Sequence, residues 1–157
     1  SSTDAMRRGR LKEFGADLAV DSSDPGWVDQ VLQATNGEGV DLIVDQVSGK
    51  VASQNLAATR IKGRIVNVGR LGGTHADFNF DLHAARRINY IGVTFRTRSA
   101  AQVEAINEKV TRALLPALSQ GALRLPIDRV LPLEEASEAF EHMARNQHFG
   151  KIVLANA

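Results

Sequence analysis

The sequence predicts an α/β fold in which helices flank a parallel sheet, and three observations support this prediction. Short apolar runs alternate along the chain with segments whose apolar residues recur at helical spacing. The links between them are short and rich in glycine. One run, "VDLIVDQV" (40–47), is almost continuously apolar, as in strands that are buried on both faces of a parallel sheet. Such alternation implies right-handed βαβ units.

Each element follows from its local pattern. Thr3 or Asp4 can cap a first helix that Gly15 ends, and Asn36-Gly37 ends a second. Helical spacing predicts helices at 4–14, within 24–39, and at 51–61, 99–121 and 133–147. Apolar runs predict strands at 17–21, 40–47, 64–69, 87–95, 125–133 and 150–154.

Composition narrows the class of protein. The 157 residues are 43% apolar and 24% charged, which predicts a folded globular chain. A formal net charge of +1 gives no general attraction to nucleic acid or to an anionic membrane. The sequence contains no cysteine, which excludes disulfides and thiolate zinc sites within it and favours a reducing, cytoplasmic location. We therefore expect no nucleic-acid partner and no membrane partner.

The stretch "LIVDQVSGK" (42–50) ends in a Gly-Lys pair, like a phosphate-binding loop. That motif requires glycine at position 44 and a hydroxyl residue at 51, where this sequence has Val44 and Val51. We therefore interpret the stretch as a strand followed by a turn, with Lys50 in the first turn of a helix. Turns at 46–49, 69–73 and 95–98 all follow predicted strands, and so predict a binding crevice at one edge of the sheet.

Four segments, "LKEFGADLAVD", "GVDLIVDQVSG", "GRIVNVG" and "FEHMARNQHFGKIVL", resemble in order and spacing the medium-chain dehydrogenase/reductase superfamily. Within it they look most like the zinc-free quinone oxidoreductase and enoyl reductase branch. The resemblance covers essentially the whole chain. It implies that residues 1–122 are a partial nucleotide-binding (Rossmann) domain and that 123–157 are the C-terminal return segment of the catalytic domain.

The resemblance also implies an incomplete Rossmann-type parallel sheet that lacks the first two strands and the Gly-rich turn. No G-x-G-x-x-G motif occurs in the sequence. Three explanations remain open. The two strands belong to the molecule but lie outside this sequence, or strand 17–21 pairs directly with 41–45, or another chain supplies them.

The resemblance implies NADPH as the cofactor. Arg7 aligns with the basic residue that reaches the 2′-phosphate in NADPH-using relatives, and Ser2 and Thr3 stand where an acidic residue would select NAD. The alternative is that the arginines Arg7, Arg8 and Arg10 form a solvated helix face. Further cofactor-binding residues implied by the resemblance are Val47, Val68, Gly69, Val93, Phe95, Phe149 and Lys151.

No catalytic residue can be assigned from the sequence. The four histidines lack a metal-ligand spacing, and no Ser-His-Asp arrangement is visible. Tyr90, the only tyrosine, is predicted in the middle of a strand and is a poor proton donor there.

Two functions from different classes remain. The first is the C-terminal part of an NADPH-dependent oxidoreductase that transfers hydride to a quinone or an activated enone, and that is inactive as this chain alone. Such an enzyme is expected to form a homodimer through the edge strand 88–95. The alternative is a non-catalytic, truncated α/β module for oligomerisation or nucleotide binding.

Overall fold

A computed structural model describes residues 1–156, which form two compact units, Ser1–Ala100 and the residues from Ala101 onward. The first unit contains a parallel three-stranded sheet in the order β1-β2-β3. Its strands are β1 (Val40–Asp45), β2 (Thr59–Asn67) and β3 (Asn89–Gly92). Its helices are α1 (Ala5–Leu11), α2 (Trp27–Ala34), α3 (Ala52–Ala58) and α4 (Phe80–Arg86), with single 3-10 turns at Lys12–Phe14 and Gly49–Val51.

The second unit is built around a parallel pair of strands, β4 and β5. Its elements are α5 (Ala100–Ser119), which begins where the first unit ends, then β4 (Ile127–Pro132), a 3-10 turn (Leu133–Glu135), α6 (Ala136–Ala144) and β5 (Lys151–Ala155). These elements confirm the predicted α/β class with parallel sheets and flanking helices. Over residues 1–156, no helix combines the length and the apolar character that crossing a membrane requires.

The core of the first unit lies on one face of its sheet. Leu56, Ile65 and Ile88 form one buried cluster, and Val20, Trp27 and Ala58 form another. Ile43 of β1 packs against both. The guanidinium of Arg86 joins α4 to this core, because its Nη1 donates to the carbonyl oxygens of Ala57 at 2.8 Å and Thr59 at 2.6 Å.

The predicted strand at 17–21 is wrong, since these residues form no strand. The carbonyl of Val20 accepts a hydrogen bond from the backbone N–H of Ser2 at 3.2 Å. Among the described residues, β1 pairs only with β2 and therefore stands at the edge of the sheet. A strand needs a neighbouring ladder of backbone donors and acceptors, and residues 17–21 do not find one on β1. The direct pairing of 17–21 with 41–45 is thus not what the structure shows.

The expectation that β1 is buried on both faces is also wrong. Leu42 and Val44 are 45% and 58% exposed, whereas Asp45 is buried. Val44 is aligned with Val66 of β2, and Val66 with Ile91 of β3, so one apolar row crosses this open face. The buried clusters that include residues of α2, α3 and α4 lie on the opposite face, which carries Ile43.

Several boundaries differ from the prediction. β2 begins at Thr59 instead of residue 64, and its pairing with β1 shifts between Val40 and Leu42. Residues 60–63 therefore interrupt the pairing of β2 with β1, and Lys62 among them has a φ of 60°. Strand β3 has four residues instead of nine, and helix α4 before it was not predicted, because its segment follows a glycine-rich stretch.

In the second unit, the helical spacing within 133–147 places Ala136, Ala139, Phe140 and Met143 on one side of helix α6 and predicts that they face inward. Phe140 and Met143 are nevertheless 63% and 48% exposed, whereas Ala139 is buried. The predicted boundary at residue 122 between nucleotide-binding domain and return segment stays a prediction.

Candidate functional site

The carboxyl ends of β1 and β2 continue into two loops, 46–49 and 68–73, that are bound to each other through the backbone. The N–H groups of Val68 and Gly69 donate to the carbonyl of Asp45 at 2.8 and 3.1 Å. The N–H of Gly72 donates to the carbonyl of Val47 at 2.6 Å. The two turns predicted after these strands therefore form one structure at the carboxyl edge of the sheet, where α/β sheets bind ligands.

Glycine is required where these loops meet. A Cβ on Gly69 would overlap the carbonyl oxygen of Gln46. A Cβ on Gly49, whose φ is +45°, would lie 2.5 Å from the carbonyl oxygen of Gly72. Both contacts are with backbone, which cannot move aside as a flexible side chain can. Gly69 thus lets the two loops approach closely.

The carboxylate of Asp45 holds the first of these loops. Its Oδ1 accepts the backbone N–H groups of Val47 at 2.9 Å and Ser48 at 2.8 Å. Ser48 adopts φ 57° and ψ −156°, a combination that residues other than glycine rarely occupy. The stretch "LIVDQVSGK" is therefore a strand followed by an Asp-capped turn, and Lys50 is exposed in a short 3-10 turn.

Asp45 also has an unused acceptor. The residue is 3% exposed, and its Oδ2 has no hydrogen-bond partner among the described residues. Asp45 borders a cavity of about 310 Å³ that is lined by Ser1, Ser22, Trp27, Ile43, Val44, Gln46, Val47, Val51 and Asn55. The indole Nε1 of Trp27 is likewise buried without a described partner. The cavity thus has both a buried acceptor and a buried donor in its lining residues.

A second cavity lies beside β1. It measures about 540 Å³ and is lined by apolar residues of the sheet and of α2, and by residues 15–18. Val40 and Leu42 of β1 form one wall, and Trp27 and Ala58 also contribute. Trp27 lines both cavities, so the single tryptophan of the chain reports on this edge of the sheet.

Tyr90 belongs to the same neighbourhood, which the sequence did not reveal. Burial raises the pKa of its hydroxyl, and the negative charge of Asp45 raises it further. The Ser48 hydroxyl and the charge of Arg70 act in the opposite direction. Tyr90 therefore keeps its proton at neutral pH. The place of Tyr90 in the sheet is set by its pairing with Ile65 of β2. The sequence did not predict this pairing, and so it did not predict that Tyr90 lies near Asp45.

The predicted phosphate-binding residues lie at the N-terminal end of the first unit. The carboxylate of Asp4 caps α1 by accepting the N–H of Arg7 at 2.8 Å. Arg7 and Ser2 are half-buried, and Thr3 is exposed. Among the neighbouring arginines, Arg8 has a structural role, as described next.

Arg8 fixes the N-terminal segment. Its Nη1 lies 2.8 Å from Oδ2 of Asp21 and donates to the carbonyl of Ser2 at 2.9 Å. The guanidinium thereby ties α1 to residues on either side of it. The alternative that the arginines form only a solvated helix face therefore does not apply to Arg8.

Val93 and Phe95 follow β3 at the same edge. The N–H of Val93 donates to the carbonyl of Asn67 at 3.2 Å, which joins this loop to the end of β2. Phe95 is 62% exposed, and the Arg98 guanidinium lies 5.8 Å from its ring centroid. Val47, Val68, Gly69 and Val93 are therefore brought to one edge, whereas the Phe95 ring is largely exposed and lies beside Arg98.

Phe149 and Lys151 belong to the second unit. The N–H of Phe149 donates to Oδ1 of Asp128 at 2.8 Å, and the N–H of Lys151 donates to the carbonyl of Pro126 at 2.9 Å. Gly150 between them has a φ of +101°. The turn before β5 is thus fastened to the beginning of β4.

The described residues do not form a zinc site. Residues 1–156 contain no group of three or more histidine, cysteine, aspartate or glutamate side chains arranged to hold a metal ion. The sequence has no cysteine. We therefore assign no residue to zinc.

Comparison with known proteins identifies relatives over nearly the whole chain. A family model described as zinc-binding dehydrogenase matches residues 14–154. The mycocerosic acid synthase-like polyketide synthase of Mycolicibacterium smegmatis is 29% identical over 149 residues, which are 94% of this chain and 7% of that protein. The phthioceranic/hydroxyphthioceranic acid synthase of Mycobacterium tuberculosis is 28% identical over 150 residues, or 95% of this chain and 7% of that protein.

Solved structures show the same fold. A probable oxidoreductase from Mycobacterium abscessus has a TM-score of 0.77 and 27% identity, over 98% of this chain and 44% of that one. A putative alcohol dehydrogenase from Sinorhizobium meliloti 1021 has a TM-score of 0.78 and 24% identity, over 98% and 42%. The CurK enoyl reductase has a TM-score of 0.72 and 23% identity, over 98% and 46%. The chain thus spans less than half the length of these structures.

Proposed function

The chain belongs to the zinc-binding dehydrogenase family, and from this premise we propose that it is the C-terminal part of an NADPH-dependent oxidoreductase that transfers hydride to a quinone or an activated enone. The family lies within the medium-chain dehydrogenases/reductases, whose enzymes use a nicotinamide cofactor. Because the chain spans only 42% to 46% of the similar solved chains named above, the activity is proposed for a longer protein.

The observation that carries this proposal is the loop pair at the carboxyl ends of β1 and β2. Gly69 brings the loops together without a side chain of its own, and Val68 beside it is 41% exposed. An apolar, open strip of backbone suits the flat, uncharged nicotinamide end of a dinucleotide. The cofactor supplies the hydride when it is bound, and the protein's part is to orient it and exclude water.

The relatives' names favour an activated enone over a quinone as the hydride acceptor. Two of the similar solved structures are the CurK and JamJ enoyl reductases, and the curated relative from Mycolicibacterium smegmatis is named a polyketide synthase. In an enoyl thioester the C=C bond is conjugated to the thioester carbonyl, so it is activated for hydride addition in the same way as that of an enone. We therefore propose an α,β-unsaturated thioester as the substrate class, with the quinone as the second candidate.

The choice of NADPH over NADH rests on the N-terminal end of the first unit. An acidic residue would hold the ribose 2′-hydroxyl of NADH. Two carboxylates in this region are already engaged, because Asp4 caps α1 and Asp21 pairs with Arg8. Arg7 in the same helix is proposed to meet the 2′-phosphate, with the hydroxyls of Ser2 and Thr3 beside it.

The test uses both this chain and the longer protein that contains it. NADPH oxidation is followed with an α,β-unsaturated thioester and separately with a benzoquinone. We expect turnover by the longer protein, with the thioester as the better substrate, and none by the 157-residue chain. Turnover by the pure chain above a boiled control would overturn the assignment as an incomplete part. If NADPH quenches the fluorescence of Trp27 in the longer protein but the protein reduces neither acceptor, the alternative of a non-catalytic nucleotide-binding module is correct instead.

A further inference from the structure

One carboxylate in the second unit connects three elements. Asp128 lies in β4, and its Oδ1 accepts the N–H of Phe149 in the turn before β5 at 2.8 Å. Its Oδ2 lies 2.8 Å from Nε2 of His142 in α6. The side chains of Asp128 and His142 are only 17% and 12% exposed. A covered carboxylate with two partners of this kind holds its neighbours more firmly than a solvated ion pair.

We propose that Asp128, supported by His142, is a positioning residue that fixes the turn 146–150, so that Phe149 and Lys151 are presented in one geometry at the start of β5. The statement that this geometry serves cofactor binding rests on the proposed function above. The positioning itself is a property of the second unit and can be tested without any cofactor.

The backbone of the turn shows why it needs fixing. Gly150 has a φ of +101°, and a Cβ there would overlap the carbonyl group of Pro126. Asn146, at the other end of the turn, has a φ of 51°. Two residues in the left-handed region shape this turn. The N–H of Phe149 donates to the side chain of Asp128 in β4, and the N–H of Lys151 donates to the carbonyl of Pro126 just before β4. Asp128 is therefore a side chain that holds the backbone of Phe149.

The charges around Asp128 favour its ionised form. The N–H of Phe149 lowers the pKa of this carboxyl group most, followed by the hydrogen bond from His142, and Arg129 adds a smaller effect. Because Oδ2 can only accept when ionised, Nε2 of His142 carries the proton between them. The carboxylate therefore stays charged below the ordinary range of an aspartate, and the turn is expected to stay fixed down to that lower pH.

Other titratable groups near Asp128 are few. Arg129 lies 3.8 Å from Oδ2 of Asp128 and also 3.6 Å from Glu138 of α6. The ring of His148 lies 6.2 Å from that of His142, and its buried Nδ1 has no described partner. Glu141 of α6 pairs with Arg145 at 3.2 Å on the surface, with both side chains more than 60% exposed (68% and 64%). That exposed pair on α6 serves as a control.

The test measures amide hydrogen exchange of Phe149 in the 157-residue chain by NMR. We expect Asp128→Ala to speed exchange at Phe149 by about tenfold or more, as removal of a buried acceptor does. Asp128→Asn keeps one accepting oxygen and should restore most of the protection. Glu141→Ala, which removes only the exposed pair with Arg145, should leave Phe149 unchanged. On acidification, the Phe149 amide shift of the unaltered chain should titrate below the ordinary range of an aspartate.

The outcomes separate the two proposals. Equal exchange at Phe149 in Asp128→Ala and the unaltered chain overturns the positioning role. A Phe149 shift that does not move with acidification also overturns it, and this second readout covers the case in which Asp128→Ala fails to fold. A third outcome is that both expected effects are seen but NADPH shifts neither the Phe149 nor the Lys151 amide signal in the longer protein. This result would support the positioning role of Asp128 and contradict its link to cofactor binding.

Discussion

The carboxylate of Asp45 accepts the backbone N–H of Ser48 at 2.8 Å, and this bond together with the one from Val47 closes the turn after β1. Asp45→Ala leaves both N–H groups without their acceptor, so we expect a loss of about 1–3 kcal/mol in the free energy of unfolding. Asp45→Asn retains an accepting oxygen and should lose less. Urea unfolding of the two variants checks this. Equal losses would show that Oδ1 is not what holds the turn.

The same turn shows what the sequence could predict. The apolar run ending at Asp45 identified β1, and the polar residues after it identified the turn. The capping role of Asp45 could have been read from its position two and three residues before the N–H groups that it accepts. Its nearness to Tyr90 could not, because this depends on strand register, which local patterns do not encode.

The predicted burial of side chains was wrong where the prediction assumed a complete sheet. Leu42 and Val44 were expected to be covered because a continuous apolar run is typical of a central strand. They are 45% and 58% exposed because they lie on the face of the sheet opposite the buried clusters. Residues 17–21 were expected to be a strand because they form a short apolar run, but they pair with no described strand. In both cases the local apolar pattern did not reveal which elements lie beside the segment.

Gly69 tests whether the close approach of the two loops matters. In Gly69→Ala the new Cβ meets the backbone of Gln46, and one of the loops must shift. Overpacking of this kind costs about 1–3 kcal/mol, which thermal unfolding would detect. Gly92→Ala is the matched control, because nothing lies within 4 Å of a Cβ there. A melting temperature lowered equally by both variants would contradict the argument from the loop contact.

Asp21 predicts part of the acid sensitivity of the first unit. The hydroxyl and the N–H of Ser23 hold its pKa below the ordinary value, with a smaller effect from Arg8. A lowered folded-state pKa stabilises the fold above the unfolded-state value, and this contribution is lost as pH falls through the folded-state value. Asp21→Asn should therefore flatten the loss of stability below about pH 4. Urea midpoints of Asp21→Asn and of the unaltered chain between pH 2 and pH 6 measure it, and the same slope in both proteins would contradict the prediction.

The edge strand β3 predicts self-association. It stands at the end of the sheet order, and Ile91 on it is 41% exposed, so its outer backbone groups can pair with a second copy. Ile91→Lys places a charge on this strand and should shift a dimer to monomer in light scattering at micromolar concentration. Leu133→Lys, at a residue that is 50% exposed in the second unit, should leave the dimer intact. An unaltered chain that is already monomeric would contradict the prediction.

Arg7 and Arg8 separate cofactor choice from structure, although they are neighbours on α1. Arg8 binds Asp21 at 2.8 Å and the carbonyl of Ser2 at 2.9 Å, so Arg8→Met should lower the free energy of unfolding. Arg7 is proposed to meet the 2′-phosphate of NADPH, so Arg7→Glu in the longer protein should reverse or flatten the preference for NADPH over NADH. The ratio of kcat/KM for the two cofactors measures this, because a merely destabilised enzyme loses activity with both. An unchanged ratio in Arg7→Glu would show that Arg7 does not contact the phosphate, and Arg8→Met should leave the ratio as it is.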